Sequence, residues 1–215
     1  MTFSRSDRAI GLYGVLLVAA LMGCPQTANG QVWLQTARLV APVEQGPVRT
    51  CLDSVATVME RRGLRARRSP EQDTGRTVTA LRRRLIDEEG VGLRSANHVF
   101  VNYRFALDGG SSFRQQITSL HFVFRPGPTQ ADVPILYLDA QEDWVQELLH
   151  DKGTSLPTNE AALIPFRRHL GFADIARRDE TQIVEIGGET VREGFEERKE
   201  ALIRKVEWLT YETFG

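Results

Sequence analysis

Val99-Phe100-Val101-Asn102-Tyr103-Arg104-Phe105-Ala106-Leu107 alternates in a way that decides the fold class. Val99, Val101, Tyr103, Phe105 and Leu107 fall on one side of an extended chain, and the residues between them fall on the other. Successive strand side chains point to opposite faces, so the run predicts a strand with one buried face. Asp108-Gly109-Gly110 predicts the turn that ends it. Two further strand-like runs follow, Ile117 to Phe124 and Val133 to Leu138, separated by the breaker Arg125-Pro126-Gly127-Pro128. Three consecutive runs with short breaks predict an antiparallel meander.

Working outward, Val32 to Val43 is apolar enough for an extended segment and ends at Pro42 and Gly46-Pro47. Thr50 then reads as an N-cap with Asp53 at the third helical position. Cys51, Leu52, Val55, Val58 and Met59 recur at helical spacing, and Gly63 stands where a C-cap belongs. A second helix is predicted from Val78 to Glu88, with Leu81 and Leu85 inward and Gly90 as its stop. The last third reads as more helical. Gln141 to His150 is amphipathic through Trp144, Val145, Leu148 and Leu149, and Pro165 to Leu170 opens another helix. Gln182 to Ile186 and Glu189 to Val191 form a hairpin about Gly187-Gly188, and Phe195, Leu202, Val206 and Leu209 mark a terminal helix. The expected architecture is α+β: N-terminal helices packed on an antiparallel sheet, with a mainly helical C-terminal third.

The chain has 215 residues, 41% hydrophobic and 26% charged, a globular composition large enough for a real core. It carries 27 basic and 28 acidic residues. That balance gives no field that would attract nucleic acid, and no nucleic-acid partner is expected. Arginine outnumbers lysine 24 to 3, which reads as the bias of a GC-rich bacterial genome.

The N-terminus has its own pattern. Arg5 and Arg8 precede the uncharged stretch Ala9 to Gly23, which ends in Leu21-Met22-Gly23-Cys24. The stretch is shorter than the roughly 20 residues a spanning helix needs. The tetrapeptide resembles the lipobox of bacterial lipoproteins, and that resemblance implies acylation of Cys24 and a lipid bilayer as partner. Residues 1–23 would then be a signal peptide, 24–31 a lipidated tether, 32–140 an α+β core, and 141–215 a mainly helical region packed on it. Loss of residues 1–23 removes Arg5, Asp7 and Arg8 and leaves a net charge of −2. Pro25, rather than aspartate, after the cysteine favours the outer membrane under the sorting rule of enteric bacteria. Two other outcomes stay open: cleavage after Ala28-Asn29-Gly30, releasing a soluble protein, or an uncleaved tilted anchor.

Cys51 is the second of two cysteines, so lipid on Cys24 leaves it without a partner in the chain. A thiol in the first turn of a helix feels the positive end of the macrodipole, which favours thiolate. His121 lies within the apolar run Leu120-His121-Phe122-Val123-Phe124, and Asp139 closes the next strand. Adjacent strands would set that carboxylate beside the imidazole, as base and orienter for a thiol nucleophile. The order Gln45, Cys51, His121, Asp139 resembles two papain-like groups, the double-glycine leader peptidases and the bacterial transglutaminase-like proteins. The resemblance covers residues 45–139 and implies that Gln45 supplies the oxyanion-hole amide. It has departures, since Leu52 follows the cysteine where leader peptidases have glycine. The alternative for Cys51 is a buried thiol at the start of an apolar stripe.

The remaining signals are weaker. His98 precedes a strand, and His150 and His169 lie near helix ends among charges, where solvated side chains are expected. No HExxH, GxSxG, Walker or dinucleotide glycine loop occurs, and the cysteine and histidine spacing provides no zinc set, so no cofactor or metal is expected. Arg61, Arg62, Arg65, Arg67 and Arg68, followed by Arg82-Arg83-Arg84, form either a patch for anionic headgroups, peptidoglycan or an acidic partner, or a solvated face offset by Glu60, Glu71, Asp73, Asp87, Glu88 and Glu89. The leading expectation is a non-enzymatic accessory or binding protein of the cell envelope, lipid-anchored on the periplasmic side, with an envelope protein or peptidoglycan as partner. The alternative is a papain-like cysteine hydrolase or transferase.

Overall fold

A computed structural model describes residues 31–43, 46–72, 74–108, 112–127, 129–156, 159–191 and 196–214. The lipobox, Cys24 and Gln45 lie outside the described residues. Among the described residues the chain is α+β, with six helices and a six-stranded antiparallel sheet. Five of its strands are β1 (Gln31–Pro42), β4 (His98–Asp108), β5 (Phe113–Phe124), β6 (Val133–Asp139) and β9 (Gln182–Ile186); β10 (Glu189–Thr190) completes it. Two short ladders stand apart, β2 (Arg65–Ala66) with β3 (Arg76–Thr77), and β7 (Gly153–Leu156) with β8 (Asn159–Pro165). The helices are α1 (Pro47–Arg62), α2 (Val78–Glu89), α3 (Asp143–Asp151), α4 (Phe166–His169), α5 (Phe172–Ala176) and α6 (Glu196–Phe214).

Strand order in the main sheet is β10-β9-β1-β4-β5-β6. The meander read from the sequence is its β4-β5-β6 half. The extended segment after residue 31 is β1, inserted between β4 and β9, so the first described residues and the last third of the chain share one sheet. Gly187 and Gly188 turn β9 into β10 with φ of 61° and 83°, the paired left-handed conformation of a tight hairpin.

Two odd spacings in the sequence become regular through bulges. Ile117 and Leu120 are three apart, which places them on opposite faces of an unbroken strand. The register against β4 shifts at Thr118, so that Ile117 opposes Tyr103, Leu120 opposes Val101, and both are buried. Ile183 and Ile186 use the same device: the register against β1 shifts at Val184, and both reach the core.

The inner face carries Leu39 and Ala41 from β1, Val99, Val101, Tyr103 and Phe105 from β4, and Leu120 and Phe122 from β5. These form one apolar cluster with buried side chains from all six helices. Their odd-numbered alternation on β4 is the one the sequence predicts.

Helix α1 differs from expectation at its start. It begins at Pro47, with Gly46 as N-cap at φ 78°, whereas the sequence suggests a cap at Thr50. Proline suits the first helical position because its missing N–H had no partner there. The Thr50 hydroxyl instead donates back to the Gly46 carbonyl at 3.2 Å. Cys51 is therefore the fifth helical residue, beyond the unpaired N–H groups of the first turn. The stop at Gly63 is as the sequence predicts, and so is the second helix, which Thr77 caps by accepting from the Ala80 N–H at 3.3 Å.

An aromatic clasp fixes the last third on β4. Tyr103 is fully buried and its hydroxyl donates to the Leu170 carbonyl at 2.7 Å. Phe172 meets Tyr103 and Phe105 edge-on, at centroid separations of 5.4 and 5.0 Å. Removing the hydroxyl with Tyr103→Phe leaves a buried carbonyl unpaired and is expected to cost about 1–3 kcal/mol. Phe172→Ala opens a cavity and is expected to cost about 3–5 kcal/mol. Urea unfolding of each variant measures both losses, and equal small losses would contradict the clasp.

Candidate functional site

The sequence-predicted triad does not assemble. Cys51 is fully buried in the same apolar cluster as Leu120 and Phe122, the two neighbours of His121 on β5. Alternation along β5 therefore turns His121 to the opposite face of the sheet. Burial pushes the Cys51 thiol up to about 12, and no charged or imidazole neighbour offsets that. The first-turn N–H groups of α1 do not reach the thiol either, because four residues precede Cys51 in the helix.

His121 and Asp139 do share a face. Asp139 opposes Ser119 in the β5–β6 register, one diagonal step from His121. No hydrogen bond joins the two among the described residues. The Asp139 carboxylate instead accepts from the Gln141 backbone N–H at 2.9 Å. His121 stands between Phe100 and Tyr137, with ring centroids 6.3 and 6.0 Å away.

The outer face is built from the residues that alternate with the core positions, and the register sets them in rows. One row crosses five strands as Glu185, Arg38, Asn102, Ser119 and Asp139. The next runs Val40, Phe100, His121 and Tyr137, and a third holds Pro42, His98 and Val123. None of Arg38, Phe100, Asn102 or His121 belongs to the apolar cluster, and all four are half-buried. The Asn102 amide donates to the Ser119 hydroxyl at 2.7 Å. Two guanidinium groups lie near the Phe100 ring, Arg38 at 4.5 Å and Arg125 at 5.6 Å from its centroid.

Two segments border this face. Residues 67–72 strap the β6 edge, where the Tyr137 N–H donates to the Arg67 carbonyl at 2.7 Å and the Arg68 Nε donates to the Pro134 carbonyl at 2.8 Å. The other border starts at Arg125, whose backbone is bonded reciprocally to the Asn97 side chain at 2.8 Å in each direction. The Arg125 guanidinium grips Asp132 through two bonds of 2.9 Å, and it holds that carboxyl below its usual range. His98, Arg125, Gly127, Gln130 and Asp132 line an open depression here.

Burial lowers the His121 imidazole below its ordinary value, and nearby Arg38 lowers it further; a backbone hydrogen bond with Arg68, Glu71 and Asp132 oppose the shift. Its Nε2 is buried and has no hydrogen-bond partner among the described residues. His169, expected in solvent, is half-buried and its Nε2 lies 2.6 Å from the Thr154 hydroxyl; burial lowers it too, with Arg178 adding to the effect. The arginine run is largely tied up in ion pairs, Arg62 with Glu147, Arg67 with Glu142, Arg68 with Glu88 and Glu89, and Arg82 with Glu60. Among the described residues no three His, Cys, Asp or Glu side chains cluster as a metal set, and no helix is long and apolar enough to cross a membrane.

Sequence reading reached His121 and Asp139 but not Arg38, Phe100 or Arg125. The signal was present for two of them, since Phe100 is an even-numbered position in the run that places odd-numbered residues inward, and Arg38 alternates with Ala37 and Leu39. No family model of known proteins matches this chain, and a comparison with curated proteins finds no match.

Two measurements check this geometry. In a Cys24→Ser background a thiol reagent at pH 8 is expected to leave native Cys51 unmodified and to modify it stoichiometrically in denaturant; rapid native labelling would place the thiol at the surface. For the histidines, a folded-state value below the unfolded one means the unfolded chain binds more protons on acidification. Stability is therefore expected to be full above about pH 6.5 and to fall as the pH drops below it. His121→Gln should flatten part of that slope in denaturant titrations at pH 7.5 and 5.5.

Proposed function

We propose that this chain is a cell-envelope lipoprotein whose domain acts as a non-enzymatic accessory or binding protein. Acyl chains on Cys24 hold it on the periplasmic side of a bacterial membrane, with the outer membrane favoured by Pro25. Its partner is an envelope protein or peptidoglycan, met by the half-buried polar face that carries Arg38, Phe100, His121 and Arg125. The observation that carries this reading is the position of Cys51. The strongest nucleophile suggested by the sequence is sealed in the apolar cluster, on the other side of the sheet from the imidazole it would need. A thiol held that far above neutrality supplies almost no thiolate. The cysteine-hydrolase alternative needs Cys51, His121 and Asp139 in contact, with Gln45 donating to an oxyanion, and the burial of Cys51 argues against it.

The same reading takes the two N-terminal helices as a layer on the sheet and the last third as a mainly helical cover, a view supported by their shared apolar cluster. A solvated sheet face backed by such a layer is a rigid platform, suited to binding.

The tether is tested by metabolic labelling with palmitate. Label is expected in the wild-type protein and lost in Cys24→Ala. A mature form that starts at Gln31, or label retained in Cys24→Ala, overturns the lipoprotein assignment. For the binding role, photo-crosslinkers placed at Arg104 on the outer face and at Arg83 on α2 are compared in intact cells. Capture of an envelope partner from Arg104 but not Arg83 is expected, and capture from neither counts against a binding face.

A further inference from the structure

We propose that Arg38 and His121, flanking the Phe100 ring on the outer face of the sheet, form a site for an oxyanion, either a carboxylate or a phosphate group. The inference deepens the binding reading above by naming the chemistry of what this face takes.

Arg38 is the first observation. Its guanidinium is half-buried, and it forms no ion pair or hydrogen bond among the described residues. Its Nε is buried without a partner. Glu185 sits directly opposite Arg38 in the β1–β9 register, the nearest place for a counter-charge. The side chain turns the other way, across β4, and lies 4.5 Å from the centroid of Phe100. A partly desolvated cation that leaves a carboxylate in the neighbouring position unused has donors free for another anion.

His121 is the second and independent observation. Its ring borders the same Phe100, and its buried Nε2 also has no partner. Two buried nitrogens without a partner among the described residues thus border one aromatic ring, and buried nitrogens are ordinarily hydrogen-bonded. The charges around them are committed elsewhere. Asp132 is held by Arg125, Glu142 by Arg67, and Arg68 reaches out to Glu88 and Glu89. The groups around the Phe100 ring are therefore a guanidinium, an imidazole and the ring of Tyr137, with Glu71 as a nearby carboxylate. That set rejects a cation and suits an oxyanion, whose oxygens accept the Arg38 Nε–H bond.

The imidazole adds a linked proton. When the neutral ring carries its proton on Nδ1, Nε2 presents a lone pair, which repels an anion. Binding is favourable at that nitrogen only when a proton lies between it and the ligand oxygen. The proton comes from solvent, or from the ligand itself when the ligand is hydrogen phosphate. Anion binding thus raises the proton affinity of His121, and acidification tightens binding.

The test uses the full-length protein in detergent micelles with carbon-13-labelled histidine, titrated separately with inorganic phosphate and with succinate at pH 6 and pH 8. The His121 ring signal, assigned by its loss in His121→Gln, is expected to shift and saturate in at least one arm, while that of exposed His150 stays in place. Binding is expected to be several-fold tighter at pH 6 than at pH 8. Arg38→Gln should weaken it about tenfold or more through loss of the charge-assisted bonds, and Arg38→Lys should weaken it less. Saturation with phosphate alone assigns the site to phosphate groups, and with succinate alone to carboxylates. No saturable shift of His121 in either arm overturns the proposal, and so does a shift undiminished in both Arg38 variants. The wild-type titrations decide the matter even if Arg38→Gln does not fold. A failed titration alongside outer-face crosslinking in cells removes the oxyanion site alone. A positive titration without crosslinking or palmitate removes the envelope role and leaves the site.

Discussion

Everything in this fold depends on the two-sidedness of β4. The strand lies in the middle of the sheet and is paired along most of its length with β1 on one side and β5 on the other. Val99, Val101, Tyr103 and Phe105 are at most 1% exposed, so a slip of one residue would put four large core side chains on the polar face. That cost fixes the register of the neighbours. It also fixes which face can hold chemistry, because the even-numbered residues of β4 have nowhere to point but outward.

The bulges at Thr118 and Val184 follow from the same constraint. Each restores an isoleucine to the inner face where strict alternation would have turned it out. The last third is bound to this frame in two ways: β9 pairs with β1, and the Tyr103–Leu170 hydrogen bond seats the α4–α5 corner with Phe172 wedged against Tyr103 and Phe105. These are buried contacts. The many arginine–carboxylate pairs contribute less, since pairs such as Arg62–Glu147 have both side chains about half exposed, where solvent screens the attraction. They pair Arg62, Arg67, Arg68, Arg82 and Arg84 of the arginine-rich stretch with carboxylates.

Side-chain chemistry divides along the sheet as well. The inner face and the helices over it hold the only described cysteine, and burial there suppresses the chemistry a thiol can do. The outer face holds His98 and His121, the rings of Phe100 and Tyr137, and Arg38, whose buried Nε has no hydrogen-bond partner among the described residues. The sheet thus stands between the Cys51 thiol and the His121 imidazole.

The sequence alone determined the local elements and their faces. Period-two alternation placed the β4 side chains, and the glycine stops at Gly63 and Gly90 ended two helices, because each of these signals is carried within a few residues. It suggested that Asp139 lies beside His121 as its orienter; the two share a face, but the Asp139 carboxylate accepts from the Gln141 N–H instead. Where local rules competed, it went astray: Gly46-Pro47 reads equally as a breaker or as the first turn of a helix, and the second is what the chain adopts. Only the tertiary structure decided the neighbours of β1, the bulges that rephase two strands, the depth of Cys51, and the row that joins Arg38 to Asn102 and Ser119. Those depend on pairing between residues dozens of positions apart, and strand pairing is set by the burial of a whole face rather than by any single stretch of chain.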